Sequence, residues 1–151
     1  MPSYMSQSKL DDLRAELEKR KKITRREIAD QISTAKDLGD LSENFEYQDA
    51  KEQQGLNEAR IIQIGNMITD AVVVEESLGG DEINIGTTFV AKCNGSEKTF
   101  TIVGSTEADP MSGKISNESP IGQAFLGRKP GEGVEIEVPS GVMSYTIITI
   151  K

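Results

Sequence analysis

The residues best suited to chemistry in this sequence are two carboxylates, Asp40 and Glu43, which lie three positions apart and are flanked by Asp37 and Glu46. Magnesium prefers oxygen ligands, but it takes a full octahedron of them and usually keeps waters and substrate phosphates in its shell. Two carboxylates cannot fill that shell alone. The pattern therefore predicts a pair that completes the metal shell of another enzyme, where a bound water attacks a phosphodiester.

The same two acids also have a purely structural interpretation. An acceptor side chain followed three residues later by Glu is the spacing of a capping box, which would open a helix at Asp40. Both carboxylates would also favour the positive end of the helix dipole. The local pattern favours this interpretation, yet it does not explain four acids in succession, whose mutual repulsion is costly without a cation.

Two long helices are predicted to carry these acids. Apolar residues recur at steps of three and four from Ser8 to Leu38, and the rhythm repeats from Tyr47 to Ala71. Gly39 lies where the first helix should end, because glycine accepts the left-handed conformation found there. The apolar residues of each helix form a narrow stripe, or seam, that polar residues interrupt, and this pattern favours two antiparallel helices packed on each other. At about 1.5 Å per residue, each helix would be some 45 Å long. The acids then belong to the tip of a long hairpin.

Charge and composition exclude several classes of protein. The net charge of -8, from 17 basic and 25 acidic residues, argues against a protein that coats nucleic acid through bulk electrostatics. The early basic residues through Arg26 could follow RNA phosphates, but interleaved acids favour a solvated helix face. The single cysteine, Cys93, excludes an internal disulfide, and the lack of His makes a closed zinc site implausible. No apolar run approaches a membrane span, so we expect a cytoplasmic protein without membrane contact.

The chain after Ala71 predicts a second, globular part. Strand-like runs cover 72–74, 85–92, 98–103, 134–138 and 143–150, and Asn94-Gly95 predicts a tight hairpin turn. A further short strand is predicted at 111–116 and a short helix at 120–127. We therefore expect an α+β fold, with an antiparallel coiled-coil hairpin over residues 1–75 and a small, mostly antiparallel sheet domain with a short helix over residues 82–151.

Two stretches carry a resemblance to a known family. The run GDLSENFEY at 39–47, continued by AKEQQG at 50–55 and EARI at 58–61, resembles the hairpin of the Gre transcript-cleavage factors. The run SPIGQAFLG at 119–127 resembles the C-terminal signature of the same family. The likeness spans nearly the whole chain, and it implies a transcription elongation factor whose C-terminal domain has an FKBP-like fold.

The resemblance also implies a mode of action. The coiled coil would enter the secondary channel of the bacterial RNA polymerase core and stimulate the polymerase's intrinsic cleavage of backtracked nascent RNA, which rescues arrested complexes. The chain would act as a monomer and not as an enzyme by itself. Asp40 and Glu43 match the acids that hold the second Mg²⁺ jointly with the polymerase, and no metal is expected in the isolated protein.

Other tip residues match positions with a role in the family. Asn44 and Tyr47 would lie beside the site, although the place of Tyr47 in the seam also favours simple packing. Lys36 and Lys51 match positions whose basic residues face the backtracked RNA 3′ end. Ser42 departs from relatives that carry a basic residue at this position.

In the C-terminal domain, Ser119 and Pro120 match the segment that docks on the rim of the channel. The same pair fits a helix cap followed by a first-turn proline, and both roles can hold together. Two other functions stay open. One is a channel-occupying inhibitor of RNA polymerase, and the other is a non-catalytic coiled-coil adaptor whose tip only caps the turn.

Overall fold

A computed structural model describes residues 2–39, 43–75 and 79–151, and it confirms the α+β class. The chain forms two compact units, one of Leu10–Asp70 and the other of residues 1–9 together with Ala71–Lys151. The sequence predicted a first domain of residues 1–75 and a second of residues 82–151. In the structure, residues 1–9 and 71–75 belong to the second unit. The reason is that strand β1 (Ser3–Met5) pairs in parallel with strand β2 (Ala71–Val73) and packs against the turn at Ser105–Glu107.

Both predicted long helices are present. The first run consists of α1 (Gln7–Lys19), a π-helical turn (Arg20–Thr24) and α2 (Arg25–Lys36), and the second run is a single helix, α3 (Phe45–Thr69). α2 packs along α3. Among the described residues, no helix is long and apolar enough to cross a membrane.

The predicted seam between the two arms is confirmed over most of its length. Most of its apolar members are buried and Leu17, Ile32 and Ile68 are half-buried, while Leu38, which the periodicity placed in the seam, is 63% exposed. Small and branched side chains make this seam narrow, so the arms bury little apolar surface for their length. The buried apolar residues of this unit are Leu10, Leu13, Ile28, Ala35, Ala50, Ile61 and Ile64.

A buried amide holds the two arms together at the π-helical turn. Asn57 is only 4% exposed, and its Oδ1 accepts a hydrogen bond from Nη1 of Arg20 at 3.0 Å. Its Nδ2 donates to the backbone carbonyl of Arg20 at 3.4 Å, and the same carbonyl accepts the N–H of Arg25. The one-residue widening of a π turn commonly marks a place where a side chain is accommodated in a helix. The sequence periodicity did not predict this turn.

Ion pairs surround this amide. The Glu16 carboxylate accepts from Nε of Arg20 at 2.7 Å and from Nε and Nη2 of Arg60 at 3.0 and 3.2 Å. The hydrogen bonds from Arg60 lower the pKa of Glu16 to about 2, against an opposing effect of partial burial. Arg25 donates two hydrogen bonds of 2.7 Å to the Glu58 carboxylate, and these bonds lower the pKa of the Glu58 carboxyl. Paired charges between the arms thus stabilise the stem of the hairpin, the part that contains Glu16, Arg20, Arg25, Glu58 and Arg60.

The second unit contains five further strands: β3 (Thr88–Cys93), β4 (Ser96–Val103), β5 (Lys114–Ser116), β6 (Gly133–Val138) and β7 (Gly141–Ile150). They form one sheet in the order β5-β4-β3-β7-β6, antiparallel except for the β4–β5 pair. Positive φ angles of 52° at Asn94 and 82° at Gly95 confirm the predicted hairpin turn. The strand predicted at 111–116 is partly wrong, because Pro110–Ser112 forms a 3₁₀ turn before β5 begins.

Aromatic rings form the centre of this unit. Helix α4 (Pro120–Phe125) delivers Phe125 onto the sheet, where its ring centroid lies 4.8 Å from that of Phe89 and 5.5 Å from that of Tyr145. Phe100 completes the cluster with tilted and edge-on contacts. The close seating of α4 depends on Gly122, since a Cβ there would overlap the carbonyl oxygen of Ser116.

We expect Gly122→Ala to destabilise the second unit by about 2 kcal/mol or more, because the backbone of Ser116 cannot yield as a side chain would. Gly133→Ala is the matched control, since its Cβ would meet its nearest neighbour, the Tyr145 carbonyl oxygen, at an ordinary 3.9 Å. Chemical unfolding followed by tyrosine fluorescence measures both. Equal stability of the two variants would contradict the close-approach account.

We expect the stability of the hairpin to fall as the pH drops. The pKa of Glu16 is lowered from 4.5 to about 2 in the folded state, so its stabilisation is present above pH 4.5 and is lost as the pH falls through 2. Glu16→Gln should cost roughly 1 to 2 kcal/mol near neutral pH, a value discounted for solvent screening, and should approach wild type at the acid end.

The control is Glu18→Gln, which removes an exposed pair with Lys22 of the same i,i+4 spacing as the pair of Glu16 with Arg20. Far-UV circular dichroism during urea unfolding at several pH values measures all three proteins. A pH dependence in Glu16→Gln as steep as that of wild type would show that this carboxylate is not responsible.

Candidate functional site

The candidate site is the turn between the two arms of the hairpin. α2 ends at Lys36, and Gly39 has the positive φ, 128°, that was expected after the helix end. Asp40 and Ser42 lie outside the described residues. Glu43 lies in a bend before α3, is exposed, and forms no ion pair within the described part of the chain.

The predicted capping box is wrong about where the second helix begins. α3 starts at Phe45 with Asn44 as its cap, whose Oδ1 accepts the N–H of Tyr47 at 3.1 Å. The Nδ2 of the same side chain donates to the carbonyl oxygen of Ala35 at 2.6 Å. Asn44 therefore satisfies one backbone group at the start of α3 and one near the end of α2, which a carboxylate could not do. Glu43 precedes the cap and takes no part in it.

This cap gives Asn44 a structural role in addition to its predicted place beside the site. The side chain crosses from one arm to the other, so it positions the last turn of α2 against the first turn of α3. Tyr47 receives the cap bond through its backbone, and its ring is half-buried, as the packing interpretation expected. The structure thus brings Asn44 and Tyr47 together.

The two predicted basic residues are exposed on separate arms. Lys36 is the last residue of α2, and Lys51 lies in the second turn of α3, where its Nζ donates to Oε1 of Gln54 at 3.1 Å. Neither lysine forms an ion pair with a described residue.

Acidic side chains outnumber basic ones near the tip. Asp30, Glu46 and Asp49 line a groove between α2 and α3, close to the buried pair Ala35 and Ala50. Across residues 2–39, 43–75 and 79–151, no group of three or more acidic, His or Cys side chains is arranged to hold a metal ion. Within the described part of the chain, Glu43 is therefore not part of such a group.

The predicted cap at Ser119 is confirmed. Its Oγ accepts the N–H of Gly122 at 3.1 Å and donates to the carbonyl oxygen of Ser116 at 2.7 Å, while Pro120 occupies the first turn of α4. The cap explains both residues locally. Their docking role is not tested by these contacts and stays a prediction.

Comparison with known proteins agrees with this architecture. A family model described as transcription elongation factor, N-terminal, matches residues 3–73, and a second, for the GreA/GreB C-terminal domain, matches residues 78–151. The transcription elongation factor GreA of Roseiflexus castenholzii is 46% identical over 99% of this chain and 98% of its own length. That of Bacillus cytotoxicus is 44% identical over 97% and 95%.

A solved structure, the GreA factor homolog 1 of Thermus thermophilus, aligns with 100% of this chain and 99% of its own at 22% identity and a TM-score of 0.45. The two domain matches, which together cover nearly every residue, define a bacterial-type transcription elongation factor. The chain belongs to the GreA/GreB family. The resemblance inferred from the tip and from the SPIGQAFLG run is confirmed, and both relatives named above are GreA factors.

We expect Asn44→Asp to separate the two bonds of the cap. Aspartate keeps an acceptor for the Tyr47 N–H but loses the donor to the Ala35 carbonyl, which should cost about 1 to 3 kcal/mol. Asn44→Ala should cost about 1 kcal/mol more, because it loses the cap as well.

Hydrogen exchange distinguishes the two variants. The Tyr47 amide should stay protected in Asn44→Asp and exchange faster in Asn44→Ala. Wild-type stability in Asn44→Asp would show that the bond between the arms is unimportant.

Proposed function

We propose that this chain inserts its hairpin into the secondary channel of bacterial RNA polymerase and stimulates the polymerase's intrinsic cleavage of backtracked RNA. The observation that carries the proposal is the tip: Glu43 is exposed and is not used as a cap, within the run that matches the family motif. A turn that served only to join the arms would need the Asn44 cap and no further acids. The chain would supply the tip, and the polymerase would supply the catalytic centre.

In this proposal Asp40 and Glu43 hold a Mg²⁺ ion jointly with the polymerase. Exposed carboxylates fit this ion, which favours oxygen ligands but needs more of them than two side chains provide. When bound, the metal lowers the pKa of a coordinated water and stabilises charge at the phosphodiester. Glu43 would contribute its carboxylate oxygens from a position next to Asn44, whose two hydrogen bonds link the arms.

The exposed lysines would bind the RNA. Lys36 and Lys51 sit on the two arms behind an acidic tip, where they can neutralise phosphates of the backtracked 3′ segment. The lysine side chains would offset the repulsion between the acids and the RNA backbone. Tyr47 and Asn44 act on the arrangement of the turn, since both are engaged in the cap.

The second unit would dock on the rim of the channel through the segment that contains Ser119 and Pro120. Their cap and first-turn positions hold this segment in one conformation, supported from beneath by the close approach of Gly122 to Ser116. A rigid loop loses little conformational entropy on binding. The cap and the docking role therefore support each other.

We expect Glu43→Gln and Asp40→Asn each to lower the rate of RNA cleavage at saturating factor by roughly 10-fold or more, because each removes a charged ligand while keeping side-chain size. The matched control is Glu52→Gln, which neutralises an exposed acid on α3 outside the tip. Single-turnover cleavage in a backtracked elongation complex measures all three.

The variants also separate the competing functions. Cleavage by Glu43→Gln and Asp40→Asn at the wild-type rate would remove the metal-ligand role. If the wild-type chain only slows RNA extension, it is a channel-occupying inhibitor. If it binds polymerase without either effect, the adaptor function replaces the proposal.

A further inference from the structure

Two large apolar side chains are left uncovered at the hairpin tip. Phe45, the first residue of α3, is 85% exposed, and Leu38, just beyond α2, is 63% exposed. Both line one shallow depression together with Glu43, Asn44 and Glu46. The apolar surface therefore adjoins the acid on which the proposed function depends.

The fold does not need either side chain at this place. The last buried residues of the seam toward the tip are Ala35 and Ala50, and the turn is closed by Asn44. Leaving a phenylalanine in water forgoes the stabilisation that burial would provide. Large apolar side chains that become buried in a pocket contribute much of the binding energy at protein interfaces.

We propose that Phe45 and Leu38 form an apolar contact that seats the tip in a protein pocket of the polymerase whose rim is positively charged. The inference rests on the proposed function and names the partner surface for the tip. Charge selects this surface: Glu43 and Glu46 line the same depression as the two apolar side chains, Asp37 precedes Leu38 in the chain, and no described basic residue forms an ion pair with these acids. An identical acidic tip on a second copy would repel it.

The contact would act on binding. Phe45 is two residues from Glu43, and Asn44 between them caps α3 and bonds to the end of α2. Burial of the Phe45 ring would therefore add binding energy at the tip, while the Asn44 bonds hold the neighbouring backbone. Loss of the ring should weaken binding of the factor and leave the cleavage rate of the bound complex nearly unchanged.

The test compares Phe45→Ala, Phe45→Leu and the control Leu56→Ala, which truncates a 58% exposed leucine on the same helix outside the tip. Titration of each factor against backtracked polymerase gives a half-saturating concentration and a maximal cleavage rate. Phe45→Ala should raise the half-saturating concentration by about 10-fold or more with a nearly unchanged maximal rate. Phe45→Leu should recover most of the loss, and Leu56→Ala should match wild type. Thermal unfolding should be the same for all four proteins.

A wild-type half-saturating concentration in Phe45→Ala overturns the inference. A second pattern also overturns the inference: Phe45→Leu fails to restore binding, Phe45→Trp restores it, and this difference requires a backtracked RNA 3′ end. In that case the ring stacks on an RNA base and does not occupy a protein pocket. Failure of the proposed function looks different: the wild-type chain itself would neither bind polymerase nor stimulate cleavage.

Discussion

The hairpin depends on one buried polar contact, the amide of Asn57 against the side chain and backbone of Arg20. Apolar residues in a narrow seam tolerate sliding by a turn, whereas a buried polar pair is satisfied in one register only. A slip of one helical turn would move the arms by about 5.4 Å, which is enough to separate Asn44 from the Ala35 carbonyl. The bond between Asn44 and the Ala35 carbonyl therefore depends on the register set at Asn57.

Charges in the stem and at the tip are arranged in opposite ways. The carboxylates of Glu16 and Glu58 each form an ion pair with an arginine of the other arm, so these acids stabilise the hairpin. Glu43 has no such partner among the described residues. In the proposed function, a cation or a positive surface supplied by the polymerase balances this exposed charge.

Periodicity predicted what depends on local pattern. The two long helices, the Asn94-Gly95 turn and the Ser119 cap follow from residues close in sequence, and the structure confirms them. The tip motif, including Asp40 and Glu43, could be recognised from sequence because its residues are contiguous. Its detailed arrangement could not.

Three features depended on contacts distant in sequence, which local pattern does not encode. The π turn reflects the reach of Asn57 to Arg20, and the choice of Asn44 as cap reflects its second partner, the Ala35 carbonyl. The pairing of β1 with β2 joins segments at opposite ends of the hairpin sequence. The exposure of Leu38 was also missed, because a helical repeat does not show where the opposing arm ends.

In the proposed function, this chain makes the polymerase cut its own backtracked transcript. The most direct measurement uses a purified, stalled complex with RNA labelled at the 3′ end in one sample and at the 5′ end in another, each incubated in Mg²⁺ with and without the wild-type chain. The proposed function predicts that, only when the chain is added, the 3′ label leaves in short fragments and the 5′-labelled RNA first shortens and then extends again. Full-length labelled RNA that persists with the chain bound would contradict it.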